Sequence, residues 1–182
     1  MTVLTGELEG LLLIQPRVFA DDRGWFYETW SERRYHKAGI KERFVQDNFS
    51  LSRRGTLRGL HLQNPNAQGK LVMVLQGEVW DVAVDLRRSS PTFCRWQAVR
   101  LTGDGKEQFY VPPGFAHGFV VLSDTALFHY KCTAPYSPAD EISIRWNDPD
   151  LAINWPVSAP MLSPKDAAAP WLRDVPADRL FA

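Results

Sequence analysis

The densest polar cluster in the chain is Arg58-Gly59-Leu60-His61-Leu62-Gln63, followed closely by Gln68-Gly69-Lys70. An imidazole changes charge near neutral pH, and an ammonium group beside it lowers the cost of developing negative charge or binds phosphate. His61 with Lys70 therefore suits enolate chemistry, in which a proton leaves carbon and charge collects on a neighbouring oxygen. A hydrogen-bonded histidine beside a solvent-facing lysine is the plain alternative. A second cluster, Pro112-Pro113-Gly114-Phe115-Ala116-His117-Gly118-Phe119, sets His117 just after a Pro-Gly turn that can direct it inward. In a strand over 126–132, alternation puts Phe128, Tyr130 and Cys132 on one face and His129 and Lys131 on the other. A phenol facing inward can donate a proton to a reacting carbon within its reach, or can fill a core on one hydrogen bond.

Such a base needs an orienting partner. A buried carboxylate that accepts the imidazole N–H selects the tautomer whose other nitrogen removes a proton, and it stabilises the imidazolium that forms. Asp81, Asp85 and Asp166 are all candidates, and sequence separation does not choose among them. Arg23, Arg58 and Lys165 suit phosphate or carboxylate, while Phe26, Tyr136 and Trp146 can stack on a base or fill a core. His61, His117 and His129 could together offer imidazole to a metal, but His61 is followed by Leu62 and Gln63, so the His-x-His pattern is missing. The dinucleotide-binding Gly-x-Gly-x-x-Gly, the phosphate-loop pattern and the Gly-x-Ser-x-Gly nucleophile elbow are missing too. These gaps count against redox, nucleotide-hydrolysing and esterase chemistry.

The elements that must hold these groups are mostly strands. The 182 residues suit one domain with one substantial core. Leu12–Ile14 can begin a strand, and Asp21-Asp22-Arg23-Gly24 reads as a turn before the aromatic run Trp25-Phe26-Tyr27. One short helix is predicted over Ser31–Ala38, with Thr29 and Glu32 at capping-box spacing and Gly39 as its stop. Strands are predicted over 71–75, 79–84, 96–101, 109–111, 119–122, 126–133 and 142–146, separated by Gly, Pro, Ser or Asp turns. Short strands at this spacing must pack sheet on sheet or close into a barrel to cover their apolar faces. Six prolines between Pro149 and Pro176 rule out a long helix in the tail, which is expected to wrap the core.

Basic and acidic side chains balance at 21 each, so no global field recruits nucleic acid or an anionic membrane. The opening MTVLTGELEG lacks a secretory pattern and no apolar run approaches bilayer length, so a cytoplasmic protein is expected. Cys94 and Cys132 form no Cys-x-x-Cys pair, and no structural disulfide is expected between them.

Taken in order, the segments resemble one family. They are Asp22-Arg23-Gly24-Trp25-Phe26, Gln46-Asp47-Asn48, Leu57 to His61, Gln68 to Val72, Gly77 to Asp85 and Ser90-Pro91-Thr92-Phe93. They resume with Pro113 to Phe119, Tyr130-Lys131, Trp146-Asn147-Asp148-Pro149 and Leu162-Ser163-Pro164-Lys165-Asp166. Together they resemble the dTDP-4-dehydrorhamnose 3,5-epimerases over nearly the whole chain. The resemblance implies a mainly β, cupin-like double-stranded β-helix (jelly roll) with a short N-terminal helix and an irregular C-terminal tail. It implies a single epimerase domain over 1–182, with 1–50 as an N-terminal arm and dimer element, 51–147 as the jelly-roll core and 148–182 as a wrapping segment.

The implied activity is metal-independent and cofactor-free inversion of C3 and C5 in a dTDP-linked 4-keto-6-deoxyhexose, within a homodimer. Inversion at only C3 or only C5 is the implied alternative. By resemblance His61 is the base, Asp166 orients it, Lys70 stabilises the enolate oxygen and Tyr130 is the acid on the opposite face. Arg23, Phe26, Glu28, Gln46, Asn48, Arg58, His117, Tyr136, Trp146 and Lys165 are implied in substrate binding or pocket organisation. Leu62 departs from the tyrosine that many relatives carry after the matching histidine, which alters the pocket wall without removing a proton-transfer group.

Overall fold

Alternating apolar residues rich in Val, Phe and Tyr favour strands whose inner faces must be covered. The computed structural model, which describes residues 1–182, satisfies that demand with two facing sheets. The strands are β1 (Thr2–Thr5), β2 (Leu12–Gln15), β3 (Val18–Asp21), β4 (Gly24–Tyr27), β5 (Gln46–Arg53), β6 (Leu57–Gln63) and β7 (Lys70–Gln76). They continue as β8 (Glu78–Asp85), β9 (Trp96–Thr102), β10 (Gln108–Val111), β11 (Phe115–Val121), β12 (Thr125–Cys132) and β13 (Glu141–Ser143). Two short helices, α1 (Glu32–Lys37) and α2 (Pro164–Ala167), complete the regular structure.

One sheet runs β1-β2-β10-β7-β12-β5, a second β13-β6-β11-β8-β9, and β3 with β4 forms a separate ribbon. This corrects the expected cupin-like double-stranded β-helix. All named strand pairings are antiparallel, no strand is shared between sheets, and each large sheet ends in two open edges. The architecture is therefore three antiparallel sheets, the two larger ones packed face to face, rather than a closed roll.

Val72, Val74, Phe109 and Phe128 from the first sheet meet Val79, Ala83, Leu101, Phe115 and Phe119 from the second, forming the inner core. The outer face of the second sheet, with Leu60, Leu62, Val82 and Val84, is covered by Leu151, Leu172 and Val175 of the tail, so Leu62 lies off the cavity and does not shape its wall as expected. Each such burial contributes about 1.5–3 kcal/mol, enough for a few anchors to hold an otherwise irregular strap. On the first sheet, Tyr35 of α1 and Ile40 cover Ile14, Leu71 and Tyr110.

Several local expectations are corrected. Thr29 and Glu32 do not form a capping box. Ser31 occupies the N-cap without a side-chain bond, while the Thr29 carbonyl accepts from Tyr35 Oη (2.9 Å) and Gln108 Nε2 (2.8 Å). Strand β11 begins at Phe115 and so already contains His117, and β13 stops at Ser143 rather than reaching Trp146. β1, β3, β5 and β6 were not evident as strands because their residues read as polar clusters or short isolated runs. Cys94 and Cys132 are both free thiols. No helix is long and apolar enough to cross a membrane.

Candidate active site

The apolar core does not fill the whole space between the large sheets. Beyond Phe128 on β12 come Tyr130 and Cys132, and beyond Val72 on β7 comes Lys70, where a cavity of about 930 Å³ opens. Lys70, Asn48, Gln46 and Tyr130 line it from the first sheet; Arg58, His61, His117 and Glu141 line it from the second. Tyr136 and the tail residues Ser163, Lys165 and Asp166 close its mouth.

A break in alternation aims Arg58 and His61 into this space together. Arg58 pairs with Phe119 and His61 with His117, so three steps on β6 match two on β11, the signature of a β-bulge. Directly opposed residues of an antiparallel pair share a face, hence Arg58 and His61 both face inward. Glycine permits the close approach: a Cβ on Gly59, whose φ is 127°, would lie 2.6 Å from Gly118 Cα.

Of the three candidate carboxylates, Asp166 is the one beside His61, with Oδ1 2.6 Å from Nε2. Burial pushes the Asp166 carboxyl up, but the His61 and Ser163 hydrogen bonds outweigh it and hold the pKa below the usual value. An ionised Asp166 can only accept, so His61 Nε2 carries the hydrogen, and in the neutral imidazole the lone pair is on Nδ1. Asp81 instead holds His117, with its oxygens 2.9 and 3.0 Å from Nε2. Asp85 belongs to neither histidine; it accepts from Arg87, Ser90 and Thr92 at the end of β8. Side-chain exposure separates the two pairs, 24% for His61 against 7% for His117. His61 is thus the imidazole more open to a ligand.

Lys70 stands on the cavity floor opposite Cys132. Burial pulls its pKa below the usual lysine range, with Cys132, Asp81 and Glu141 pulling it back up. Burial also raises the Tyr130 phenol, which keeps its proton at neutral pH. Arg58 is oriented by Ser52 Oγ, which accepts from its Nε (3.1 Å) and Nη2 (3.0 Å). Gln46 Nε2 donates to Asn48 Oδ1 at 3.0 Å, and Gln46 Oε1 accepts from the Tyr136 amide at 2.9 Å, tying the β5 wall to the mouth.

Five sequence candidates lie elsewhere. Arg23 is nearly fully exposed at the ribbon turn and pairs with Asp21, and Phe26 is exposed on the same ribbon. Glu28 pairs with Arg34 at 3.2 Å, beside a smaller surface recess. Trp146 is half-buried against the tail, its carbonyl accepting from Trp155 Nε1 at 2.7 Å. His129 faces the other side of the first sheet, 3.4 Å from Asp47, and cannot join His61 and His117 around one ion.

Among the lining residues the sequence reading missed are two that hydrogen-bond to site residues. Glu141 accepts from Tyr136 Oη (2.9 Å) and Lys165 Nζ (2.7 Å), but its place in the polar run Pro138-Ala139-Asp140-Glu141 gives no spacing signal. Ser163 was legible, since Ser-Pro-Lys-Asp places a capping hydroxyl, a proline at the first helical position and an acid in the first turn.

Known proteins are similar to this chain over most of its length. The family model described as dTDP-4-dehydrorhamnose 3,5-epimerase matches residues 5–174. The dTDP-4-dehydrorhamnose 3,5-epimerase of Pseudomonas aeruginosa is 56% identical over 158 residues, 86% of this chain and 87% of that protein. That of Salmonella typhimurium is 51% identical over 175 residues, covering 94% and 96%. The crystal structure of the dTDP-6-deoxy-D-glucose-3,5-epimerase from Legionella pneumophila, in complex with dTDP-4-keto-L-rhamnose, superposes with a TM-score of 0.96. It is 52% identical and covers 99% of this chain and 97% of that one. On sequence, fold and extent alike, this chain belongs to the dTDP-4-dehydrorhamnose 3,5-epimerase family.

Proposed function

We propose that this chain inverts C3 and C5 of dTDP-4-keto-6-deoxy-D-glucose to give dTDP-4-keto-L-rhamnose, with His61 as base, Lys70 as enolate stabiliser and Tyr130 as acid. The observation that carries the reading is the placement of His61 and Tyr130 on opposite walls of one cavity, with Lys70 at its floor. C3 and C5 both flank the ketone, so the same groups serve each carbon in turn. His61 Nδ1 takes the proton, and the C–H electron pair forms a C=C bond while the C4 oxygen takes the negative charge beside Lys70. The pair then returns to carbon, which takes a proton from Tyr130 Oη on the other face. The configuration inverts, and exchange with solvent restores the imidazole and the phenol. Asp166 stabilises the imidazolium in between.

Arg58, His117 and Lys165 are charged or polar partners for the diphosphate, and Tyr136 offers an aromatic face to the base. Gln46 and Asn48 supply amide contacts from β5. The domain reading follows: one epimerase domain over 1–182, with 1–50 as arm, 51–147 as core and 148–182 as wrap. The partner is a second copy of the chain. Arg23, Phe26 and Glu28 lie off their own cavity, on or beside a ribbon rich in exposed aromatics, and serve the cavity of that second copy.

An NMR time course with dTDP-4-keto-6-deoxy-D-glucose in deuterated water tests the reading. Deuterium entry with inversion at both C3 and C5 is expected. Inversion at one carbon alone would select a single-position epimerase, and absence of exchange despite measured binding would overturn the proposal.

A further inference from the structure

Asp166 is held on both carboxylate oxygens. While Oδ1 accepts from His61, Oδ2 accepts from Ser163 Oγ at 2.9 Å, and the Asp166 backbone N–H donates to that same Oγ at 3.1 Å. One hydroxyl therefore caps α2 and fixes the rotation of the carboxylate that α2 carries. Asp166 is 3% exposed, so little water competes for its second oxygen. The strap bearing Ser163 is keyed to the start of the strand that bears His61. Met161 N donates to the Gly55 carbonyl (2.8 Å), and Leu57 N donates to the Met161 carbonyl (3.0 Å). Ser163, Asp166 and His61 thus form a line of hydrogen bonds that begins at the cavity mouth and ends on the imidazole.

We propose that Ser163 is a positioning residue for proton abstraction: its hydroxyl sets the Asp166 carboxylate in line with His61 Nε2, draws off part of its charge, and so presents His61 Nδ1 to the substrate. The inference rests on the reading of His61 as base and adds a third member to the pair. A capping role alone would act by loosening α2 and would not move the acid limb to higher pH. A hydroxyl that shares the carboxylate's charge also governs how firmly that carboxylate holds an imidazolium.

The other ionisable groups that line the cavity with the pair are unaltered in every Ser163 variant. They are Glu141 from β13, Lys165 from α2, Arg58 from β6, His117 from β11, Tyr130 and Cys132 from β12, Lys70 from β7 and Tyr136 at the mouth. A change in pH profile on removing the hydroxyl therefore reports Ser163 itself.

The experiment compares full-length Ser163→Ala, Ser163→Thr and His61→Ala for deuterium entry at C3 and C5 and for the pH dependence of kcat/KM. Ser163→Ala is expected to lower kcat about tenfold, the scale of one hydrogen bond to a charged group, with KM within about twofold. Its acid limb should move to higher pH, because Asp166 without the hydroxyl holds the imidazolium more firmly. Ser163→Thr, which keeps the hydroxyl, should restore both. Parental kcat and acid limb in Ser163→Ala, while His61→Ala abolishes exchange, would overturn the Ser163 inference alone. A lowered kcat in Ser163→Ala without an upward move of the acid limb, restored by Ser163→Thr, which can also cap, would reduce Ser163 to a helix cap and overturn it too. Exchange persisting in His61→Ala would overturn the base assignment and this inference with it.

Discussion

Two proton-transfer groups with different jobs should fail differently when removed. His61→Ala is expected to lose exchange at C3 and C5 by about 10²–10⁴-fold, because no enolate forms, while dTDP binding measured by calorimetry survives through Arg58 and its neighbours. Tyr130→Phe is expected to retain exchange and lose inversion, since the enolate still forms but is reprotonated from the face it left. Equal loss of exchange in both variants would contradict that division of labour. The alkaline side of the pH profile separates Lys70 from Tyr130. Burial raises Tyr130 but lowers Lys70, and Lys70 supports the enolate only while protonated. Activity should therefore fall at a pH below the ordinary lysine range, and Lys70→Met should show a low rate without that alkaline limb. A limb unchanged in Lys70→Met would assign it to another group.

At the scale of elements, the bulge in β6 and the end of β8 carry the geometry. Any side chain on Gly59 meets Gly118 and the His117 carbonyl and must adopt a positive φ. Gly59→Ala is expected to cost about 2–4 kcal/mol in urea unfolding and to reduce exchange by separating β6 from β11. Parental stability would show that the strands need not approach so closely. At the end of β8, burial pushes the Asp85 carboxyl up, but hydrogen bonds from Arg87, Ser90 and Thr92 outweigh burial and set its pKa at about 2, against an ordinary 3.8. The folded value is the lower one, so this stabilisation is fully present above the ordinary pKa and is lost as pH falls from about 4 towards 2. Asp85→Asn should cost about 2 kcal/mol at neutral pH, and the deficit should shrink on acidification through that window. A deficit independent of pH would mean that the carboxylate charge is not what matters.

For the whole molecule, large apolar side chains stand exposed on one sheet edge and on the ribbon. Phe49 and Leu51 are 63% and 69% exposed on β5, an open edge of the six-stranded sheet, and Phe19, Trp25 and Phe26 are exposed on the ribbon. Neighbouring exposed apolar residues on one strand or ribbon mark association surfaces. Leu51 does not line the cavity, so Leu51→Glu tests assembly without touching the candidate site of its own chain. Sedimentation should show a dimer for the parent and a monomer for the variant. KM should rise in the variant, because Arg23 and Phe26 of the second copy are lost. A monomeric parent with full activity would overturn the homodimer reading.

Much of the inner architecture was legible in residue order. Alternation alone put Phe128, Tyr130 and Cys132 on one face of β12 and turned His129 away, because strand periodicity is local. The seven strands predicted from residue 71 onward and the Asp21–Gly24 turn follow from the same local rules, and the ordered motifs carried the family. What stayed hidden was long-range. Asp166 is 105 positions from His61, and only the wrapping tail, held by Leu172 and Val175, selects it over Asp81 and Asp85. The bulge that turns Arg58 and His61 to one face depends on the partner strand β11, as does the closeness of Gly59 to Gly118. Glu141 joins Tyr136 and Lys165 only because β13 pairs with β6. The expected roll failed for the same reason: periodicity tells which face of a strand is buried, but which edges pair is decided by packing of the whole chain. Sequence by itself determined the chemical groups and, where alternation is unbroken, the faces they occupy; tertiary structure decided which of them meet, since only closure of distant segments brings them within hydrogen-bonding distance.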